Sequence, residues 1–397
     1  MALSEIDQPS HGNARRISIL GATGSIGKST TDLIRRNRER FDVVALTANR
    51  KAEELAALAI EFDAELAVVA DPDAYPALRE ALAGTQTEAA VGHEALTQAA
   101  GVDADLIVAG IVGAAGLDST MAALGQGSLV ALANKESLVC AGDLVLAEMQ
   151  ASGARLLPLD SEHNAIFQVF ESENAGDVEK LILTASGGPF RTRSRAQMAA
   201  ATPDQAVAHP NWDMGHKISV DSATMMNKGL ELIEAAYLFP VAAEDIEVLV
   251  HPQSVVHSMV AYVDGSVLAQ LGPPDMRVPI AHALAWPARM ESAVTRLDLA
   301  AVGSLEFSAP DDERFPAIPL ARAALMAGRG ATVILNAANE VAVESFLDAR
   351  IGFLDIAETV ARVLDRVEGF EIASLEDFRS LDRESREIAK NLVKSVS

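Results

Sequence analysis

The sequence predicts an α/β protein in three parts: an N-terminal parallel sheet covered by helices, a central α+β region and a closing helical region. Three observations predict it. Short apolar runs alternate with helical stretches from residue 16 to about 159, a Gly-rich turn follows the first run, and near residue 160 the alternation gives way to less regular apolar runs.

Taken in order, the candidate strands are 17–20, 43–47, 66–70, 106–109, 129–133 and 155–159, and the helix-like stretches between them include 26–38, 52–61 and 137–150. Strands spaced this way by helices run parallel, with both faces of the sheet covered. Residues 16–159 therefore form the first domain. Apolar runs at 180–186, 247–251, 255–263 and 266–271 read as an α+β domain over 160–286. Several prolines and little periodicity mark 287–319 as a linker. Helical periodicity at 320–326, 337–350 and 355–367 gives a C-terminal helical domain at 320–397. Residues 1–15 are polar and read as a disordered tail rather than a signal or transit peptide.

With 397 residues, 49% of them hydrophobic, the chain can bury two or three cores. Its one cysteine, Cys140, excludes a disulfide framework and a Cys-rich zinc site, and fits a reducing, cytoplasmic compartment. The apolar stretch 106–117 is shorter than the roughly 20 residues of a membrane span, so no membrane partner is expected. A net charge of −24 excludes nucleic acid held by a long-range positive field. Anions must instead be captured by donors in a pocket.

Residues 17–36, ISILGATGSIGKSTTDLIRR, place Gly21, Gly24 and Gly27 directly after a strand and at the opening of a helix. Glycines let the backbone approach a pyrophosphate, and the helix N-terminus offers N–H groups and a favourable dipole. The turn therefore reads as the dinucleotide site of a Rossmann-like domain, with a purely structural tight turn as the alternative. A nucleotide-triphosphate loop is excluded because that motif needs glycine where Ala22 stands. Where a carboxylate would hold the ribose of NAD, the chain has Asn49, Arg50 and Lys51. Arg50 and Lys51 would neutralise the extra phosphate of NADP, so NADPH is the expected cofactor. Ordinary solvated charges at a helix start are the plain alternative.

In LLPLDSEHNAIF, Asp160 and Glu162 are two apart; in an extended segment both point one way and Ser161 the other. Residues 218–239 read as one helix on which Asn227, Lys228 and Glu231 share a face opposite Leu230, Ile233 and Tyr237. Alone, that face reads as a solvated Lys–Glu pair. Together with Asp160 and Glu162, it supplies three carboxylates without a thiolate, which suits Mg²⁺ or Mn²⁺ and the polarisation of a carbonyl. Ser186 with Gly187 and Gly188 lies in TASGGPF, where backbone can approach an anion. His209, Trp212 and His216 lie in AHPNWDMGHK, which reads as a mobile lid near 206–216. His209 by itself would be a structural or surface histidine; Trp212 beside it points to binding.

With the 21–27 turn, NKES at 134–137, DSEHNAIFQ, ASGGPF, HPNWDMG, DSATMMNKGLE, HPQSVVHSMV and NAANE in this order, the chain resembles the 1-deoxy-D-xylulose 5-phosphate reductoisomerase family from about Arg16 to its end. The resemblance implies homodimers of V-shaped subunits that act on a small phosphorylated sugar in non-mevalonate isoprenoid synthesis. It implies that Asp160, Glu162 and Glu231 ligate the metal and, with Lys228, form the catalytic set. Lys135 and Ser161 would contact the substrate's carbon chain. Ser186, Ser222, Asn227 and Lys228 would hold its phosphate, with His209 and Trp212 closing over it. Thr23, Gly24, Ser25, Ile26, Asn134, Glu136 and Gly215 would line the NADPH site. The implied reaction is a retro-aldol and aldol rearrangement followed by hydride reduction to 2-C-methyl-D-erythritol 4-phosphate. Ala22 replaces a frequent Ser, and Asn49-Arg50-Lys51 replaces a more usual Gly-Lys-Asn. Two rival readings stay open. An NADPH-dependent dehydrogenase of another phosphorylated aldehyde would survive metal chelation, and a non-catalytic dinucleotide sensor would bind NADPH without turnover.

Overall fold

The computed structural model describes residues 14–212 and 214–396. Residues 1–13 of the expected tail lie outside the described residues, and Arg15, assigned to that tail, opens the first strand. The chain folds as two compact units. One runs to Ser137 and takes in Val145–Asn164 and Met276–Thr295; the other takes in Leu138–Leu144, Ala165–Asp275 and the chain from Arg296.

The first unit is a strand–helix alternation: β1 (Arg15–Leu20), α1 (Ser25–Arg36), β2 (Phe41–Ala48), α2 (Ala52–Phe62), β3 (Leu66–Val69), α3 (Tyr75–Ala81), β4 (Glu88–Val91), α4 (His93–Ala100), β5 (Leu106–Ala109), α5 (Leu117–Gly125), β6 (Leu129–Leu132), α6 (Lys135–Ser152) and β7 (Arg155–Pro158). All neighbours pair in parallel, in the order β4-β3-β2-β1-β5-β6-β7. Because both faces are covered, the central strands are buried at consecutive positions, as at Ile17–Leu20 in β1 and Leu106–Ala109 in β5. The order reverses between β1 and β5, where a doubly wound sheet opens a crevice at the carboxyl ends of its strands.

All six expected strands are present, and a seventh, β4, is added; its sequence EAAV has only one branched residue, Val91, to mark a strand. α6 starts at Lys135 rather than 137 because Asn134 caps it, Oδ1 accepting the Ser137 N–H over 2.9 Å. The extended reading of 160–162 is corrected. α7 (Ser161–Val169) begins there, and Asp160 Oδ1 accepts the N–H groups of Glu162 and His163 over 3.1 and 3.4 Å. A carboxylate at that position satisfies the free donors of a helix start, so it favours the helix over the strand.

The second unit holds β8 (Val178–Ala185), α8 (Arg195–Ala199), α9 (Pro203–Val207), α10 (His216–Thr224), α11 (Met226–Leu238), β9 (Ile246–Val250), β10 (Val256–Tyr262) and β11 (Val267–Leu271). The sheet order is β11-β10-β8-β9, with only β8 and β9 parallel. After α12 (Arg277–Ala285), which belongs to the first unit, come α13 (Leu299–Val302), α14 (Ala317–Ala327), α15 (Ala331–Leu347), α16 (Asp355–Leu364) and α17 (Leu375–Val396). α14 to α17 share one core with the second sheet: Leu181, Leu183, Ile246 and Val260 pack in the same cluster as Ile318, Val343, Phe346, Ile356 and Val393. The linker is largely irregular, and part of it docks on β9 through a bridge between Ser308 and Val250.

The single helix expected over 218–239 is two. Met225 has φ +63°, a left-handed residue that ends α10 and starts α11 in a new direction. Among the described residues no helix is long and apolar enough to cross a membrane.

Candidate functional site

In the first unit, the turn after β1 is built for close approach. Gly21 has φ +86°, and its N–H donates to Thr47 Oγ1 over 2.9 Å while the Ala22 N–H donates to Thr47 O over 2.7 Å, which pins the turn to the end of β2. A side-chain carbon on Gly27 would stand 2.3 Å from the Ala22 carbonyl oxygen, so only glycine lets α1 pack this tightly. Gly24 caps α1 without a side-chain hydrogen bond, and the first turn carries no acidic residue. Thr23 is buried, Gly24 and Ser25 are exposed, and Ile26 is half-buried. The helix start is thus free of competing anions and suits a phosphate.

At the end of β2, Arg50 pairs with Asp71, while Lys51 and Lys28 lie 3.3 and 3.1 Å from Glu54. The Glu54 carboxyl is held below its usual range: partial burial pushes it up, but the hydrogen bonds and charges of Lys28 and Lys51 outweigh that. Arg50, Lys51 and Lys28 are 79%, 57% and 56% exposed, so three cations face solvent with two acids among them. Asn49 contributes its carbonyl, which accepts the Asp71 N–H.

The sequence reading passed over the loop after β5. Gly110 lies directly against Gly21, and Asn134 donates to Ile111 O and Gly113 O over 2.7 and 2.8 Å. The glycine-rich GIVGAAG following a strand was the available signal. Asn134 and its neighbour Glu136 are both buried, and Asn134 fixes this loop to the start of α6.

The carboxylates of the first unit lie at the start of α7. Lys135 Nζ donates to Asp160 Oδ2 over 2.8 Å, with the two side chains 8% and 11% exposed. Ser161 Oγ donates to Glu162 Oε2 over 2.6 Å. The imidazole of His163, which sequence reasoning did not single out, lies 3.6 Å from Asp160 Oδ1. Such a cluster offers hard oxygen ligands beside one ammonium.

In the second unit, His209 Nδ1 accepts the N–H groups of Asn211 and Trp212 over 3.2 and 3.0 Å, so its proton sits on Nε2, 2.8 Å from Ser186 Oγ. Burial pushes the imidazole down to about 4, which keeps it neutral at physiological pH. Asn211 Nδ2 in turn donates to Pro252 O and Ser254 Oγ over 2.8 and 3.0 Å. Residues 209–212 are thereby bonded to the protein body; Asp213, within the expected lid, lies outside the described residues. Trp212 stands 6.1 Å from His257, centroid to centroid, and Gly215 caps α10 in the open.

Gly188 has φ +65°, and a side-chain carbon there would be 2.7 Å from Ser222 O, so the Ser186 turn rests on the end of α10. On α11, Asn227 and Lys228 both donate to Glu231. Lys228 is 3% exposed and Glu231 is fully buried, which overturns the solvated-face alternative. Two more residues were missed. Asp221 is buried between Lys217 and Asn339, which reach it over 2.8 Å each; the motifs DSATMM and NAANE carried them.

Family models match most of the chain: "1-deoxy-D-xylulose 5-phosphate reductoisomerase" over residues 17–142, its C-terminal domain over 156–239, and "DXP reductoisomerase C-terminal domain" over 271–388. The 1-deoxy-D-xylulose 5-phosphate reductoisomerase of Zymomonas mobilis is 56% identical over 96% of this chain and 98% of its own, and that of Caulobacter vibrioides 55% identical over 96% of each. A solved Zymomonas mobilis enzyme in complex with NADPH superposes with a TM-score of 0.92 at 54% identity, over 96% of this chain and all of the other. A reductoisomerase in complex with NADPH, fosmidomycin and magnesium gives 0.91 at 48% identity, over 96% and 98%.

Proposed function

The chain belongs to the 1-deoxy-D-xylulose 5-phosphate reductoisomerase family, and from that premise we propose the work of its individual residues in converting 1-deoxy-D-xylulose 5-phosphate to 2-C-methyl-D-erythritol 4-phosphate with NADPH and a divalent metal. The observation that carries the assignment is the set of shielded carboxylates held by lysines, Asp160 with Lys135 and Glu231 with Lys228, in a chain that also bears the open α1 start.

The donor set fits both groups. Asp160, Glu162 and Glu231 supply the hard oxygens that Mg²⁺ or Mn²⁺ prefers. The α1 start, with Thr23, Gly24, Ser25 and Ile26, receives the pyrophosphate of NADPH. Arg50, Lys51 and Lys28 serve its extra phosphate, Arg50 by sharing its guanidinium with Asp71. Asn134 and Glu136 shape the loop after β5, and Gly215 is assigned to the cofactor as well. When bound, the metal supplies Lewis-acid polarisation of the ketone and adjacent hydroxyl, and NADPH supplies hydride.

The chain's own residues do the rest. Ser186, Ser222, Asn227 and Lys228 capture the substrate's phosphate, and neutral His209 orients Ser186 through its Nε2–H. Trp212 covers the ligand and excludes water. Lys135, paired with Asp160, directs its side-chain nitrogen at the oxygen that gains charge as the carbon–carbon bond opens, and Ser161 orients the carbon chain. Identifying the product formed during NADPH oxidation tests the rearrangement, because simple reduction of the substrate would leave an unbranched polyol.

The second sheet supports the reading of a homodimer. β11 is an edge strand, and Val267 and Leu268 on it are 51% and 40% exposed, an apolar edge that a second copy would cover. Cytoplasmic residence fits the one cysteine, Cys140, which is buried and not in a disulfide.

A further inference from the structure

A cavity of about 420 Å³ opens within the second unit, lined among others by Ser186, Gly188, Arg191, Arg193, Gln205 and Pro252. We propose that it is a second anion site, which takes a small phosphate-bearing molecule distinct from the substrate. Ser222, Asn227, Lys228 and His209, the other groups assigned to the substrate's phosphate, do not line it.

The lining has the chemistry of an anion receptor. Among the described residues no Asp or Glu contributes to the lining, and neither Arg191 nor Arg193 forms an ion pair. In a chain carrying 24 excess negative charges, two such guanidinium groups at one cavity are a local exception to the prevailing field. Planar guanidinium forks match phosphate oxygens, and the volume falls in the range of small-ligand pockets. Gln205 spends its oxygen on the Thr202 N–H, leaving its amide hydrogens as donors.

The wall is also fixed in advance. Arg314 Nη1 donates to the carbonyls of Arg191 and Arg193 over 3.1 and 2.8 Å, and Asp311 balances Arg314 at 2.7 Å. Phe190 is fully buried edge-on to Phe353 at 4.8 Å, and the Arg193 guanidinium lies 5.7 Å above its ring. The stem of Arg191 runs against Gly187, where a side-chain carbon would meet it at 2.6 Å. The backbone of this wall and the Arg193 guanidinium are thus held before a ligand arrives, which lowers the ordering cost of binding. Ser186 belongs both to this lining and to the His209 hydrogen bond, so the cavity and the proposed substrate-phosphate site share that residue.

The test is calorimetric titration of the full chain with inorganic phosphate, after NADPH, Mg²⁺ and fosmidomycin have been added to fill the substrate position. Saturable binding of one phosphate per chain is expected, weakened about tenfold or more by Arg191→Gln, the loss of one charge-assisted contact. Arg191 is exposed, so that variant keeps its fold, and Arg193→Lys should retain part of the affinity because it keeps the charge. Absence of saturable binding, or binding that both substitutions leave unchanged, overturns the proposal. If fosmidomycin gives no heat of its own, the catalytic reading is at fault; phosphate binding by the protein alone, with or without Arg191, then still decides the cavity.

Discussion

The side-chain amide of Asn339 donates to Asp221 Oδ1 over 2.8 Å, joining α15 to α10 across 118 residues of sequence. Asp221 is buried, its other oxygen meets Lys217, and the next residue is Ser222. Asn339→Ala leaves a buried carboxylate short of one donor, which costs about 1 to 3 kcal/mol. Its thermal midpoint should fall, and KM for the substrate should rise more than kcat drops because Ser222 is displaced. Equal KM in wild type and a folded variant would show that the contact only stabilises.

Glu231→Gln keeps the shape of α11 but removes the charge shared with Lys228. The amide oxygen still accepts a hydrogen bond, so the stability loss should stay below the roughly 3 to 5 kcal/mol of a broken buried pair. Turnover should fall by more than about a hundredfold, beyond the range seen for outer-sphere partners of a metal. Unchanged Mg²⁺ dependence would remove Glu231 from the metal site.

Three histidines, 209, 257 and 282, are pushed down to about 4, each chiefly by burial. Unfolded histidine takes up a proton near 6.5 while these native ones stay neutral, so the unfolded state binds more protons between about 6.5 and 4. Stability should therefore decline as pH falls through that window. Thermal melts at pH 7 and 5 measure it, and His209→Asn should flatten the slope. Equal midpoints at both pH values would contradict neutral burial.

The exposed β11 edge makes the dimer testable by one charge. Leu268→Lys, at a 40% exposed position, should leave the fold intact and shift the mass measured by light scattering from dimer to monomer. A wild type that is already monomeric at micromolar concentration would refute the edge contact.

The sheet was legible because burial on both faces makes β5 and β6 continuous apolar runs and leaves only Ser18 to interrupt β1 between Ile17 and Leu20, and the glycine turn because close backbone approach needs glycine at that spacing. The carboxylates were legible as a chemical set, but their geometry was not. Asp160 caps a helix instead of extending a strand, and the D-S-E-H start was compatible with either. Met225 breaks the 218–239 helix at a residue that rarely adopts positive φ, so no local signal marks it. The partnership of Arg50 with Asp71, 21 residues on, depends on packing the sequence does not display.

The central claim is tested most directly by NADPH oxidation with 1-deoxy-D-xylulose 5-phosphate, run with Mg²⁺ or Mn²⁺ and again with chelator, with the product identified by NMR. The expected result is oxidation that chelation abolishes, yielding 2-C-methyl-D-erythritol 4-phosphate. Oxidation that survives chelation, or an unbranched product, would contradict the assignment of Asp160, Glu162 and Glu231 to a rearranging metal site.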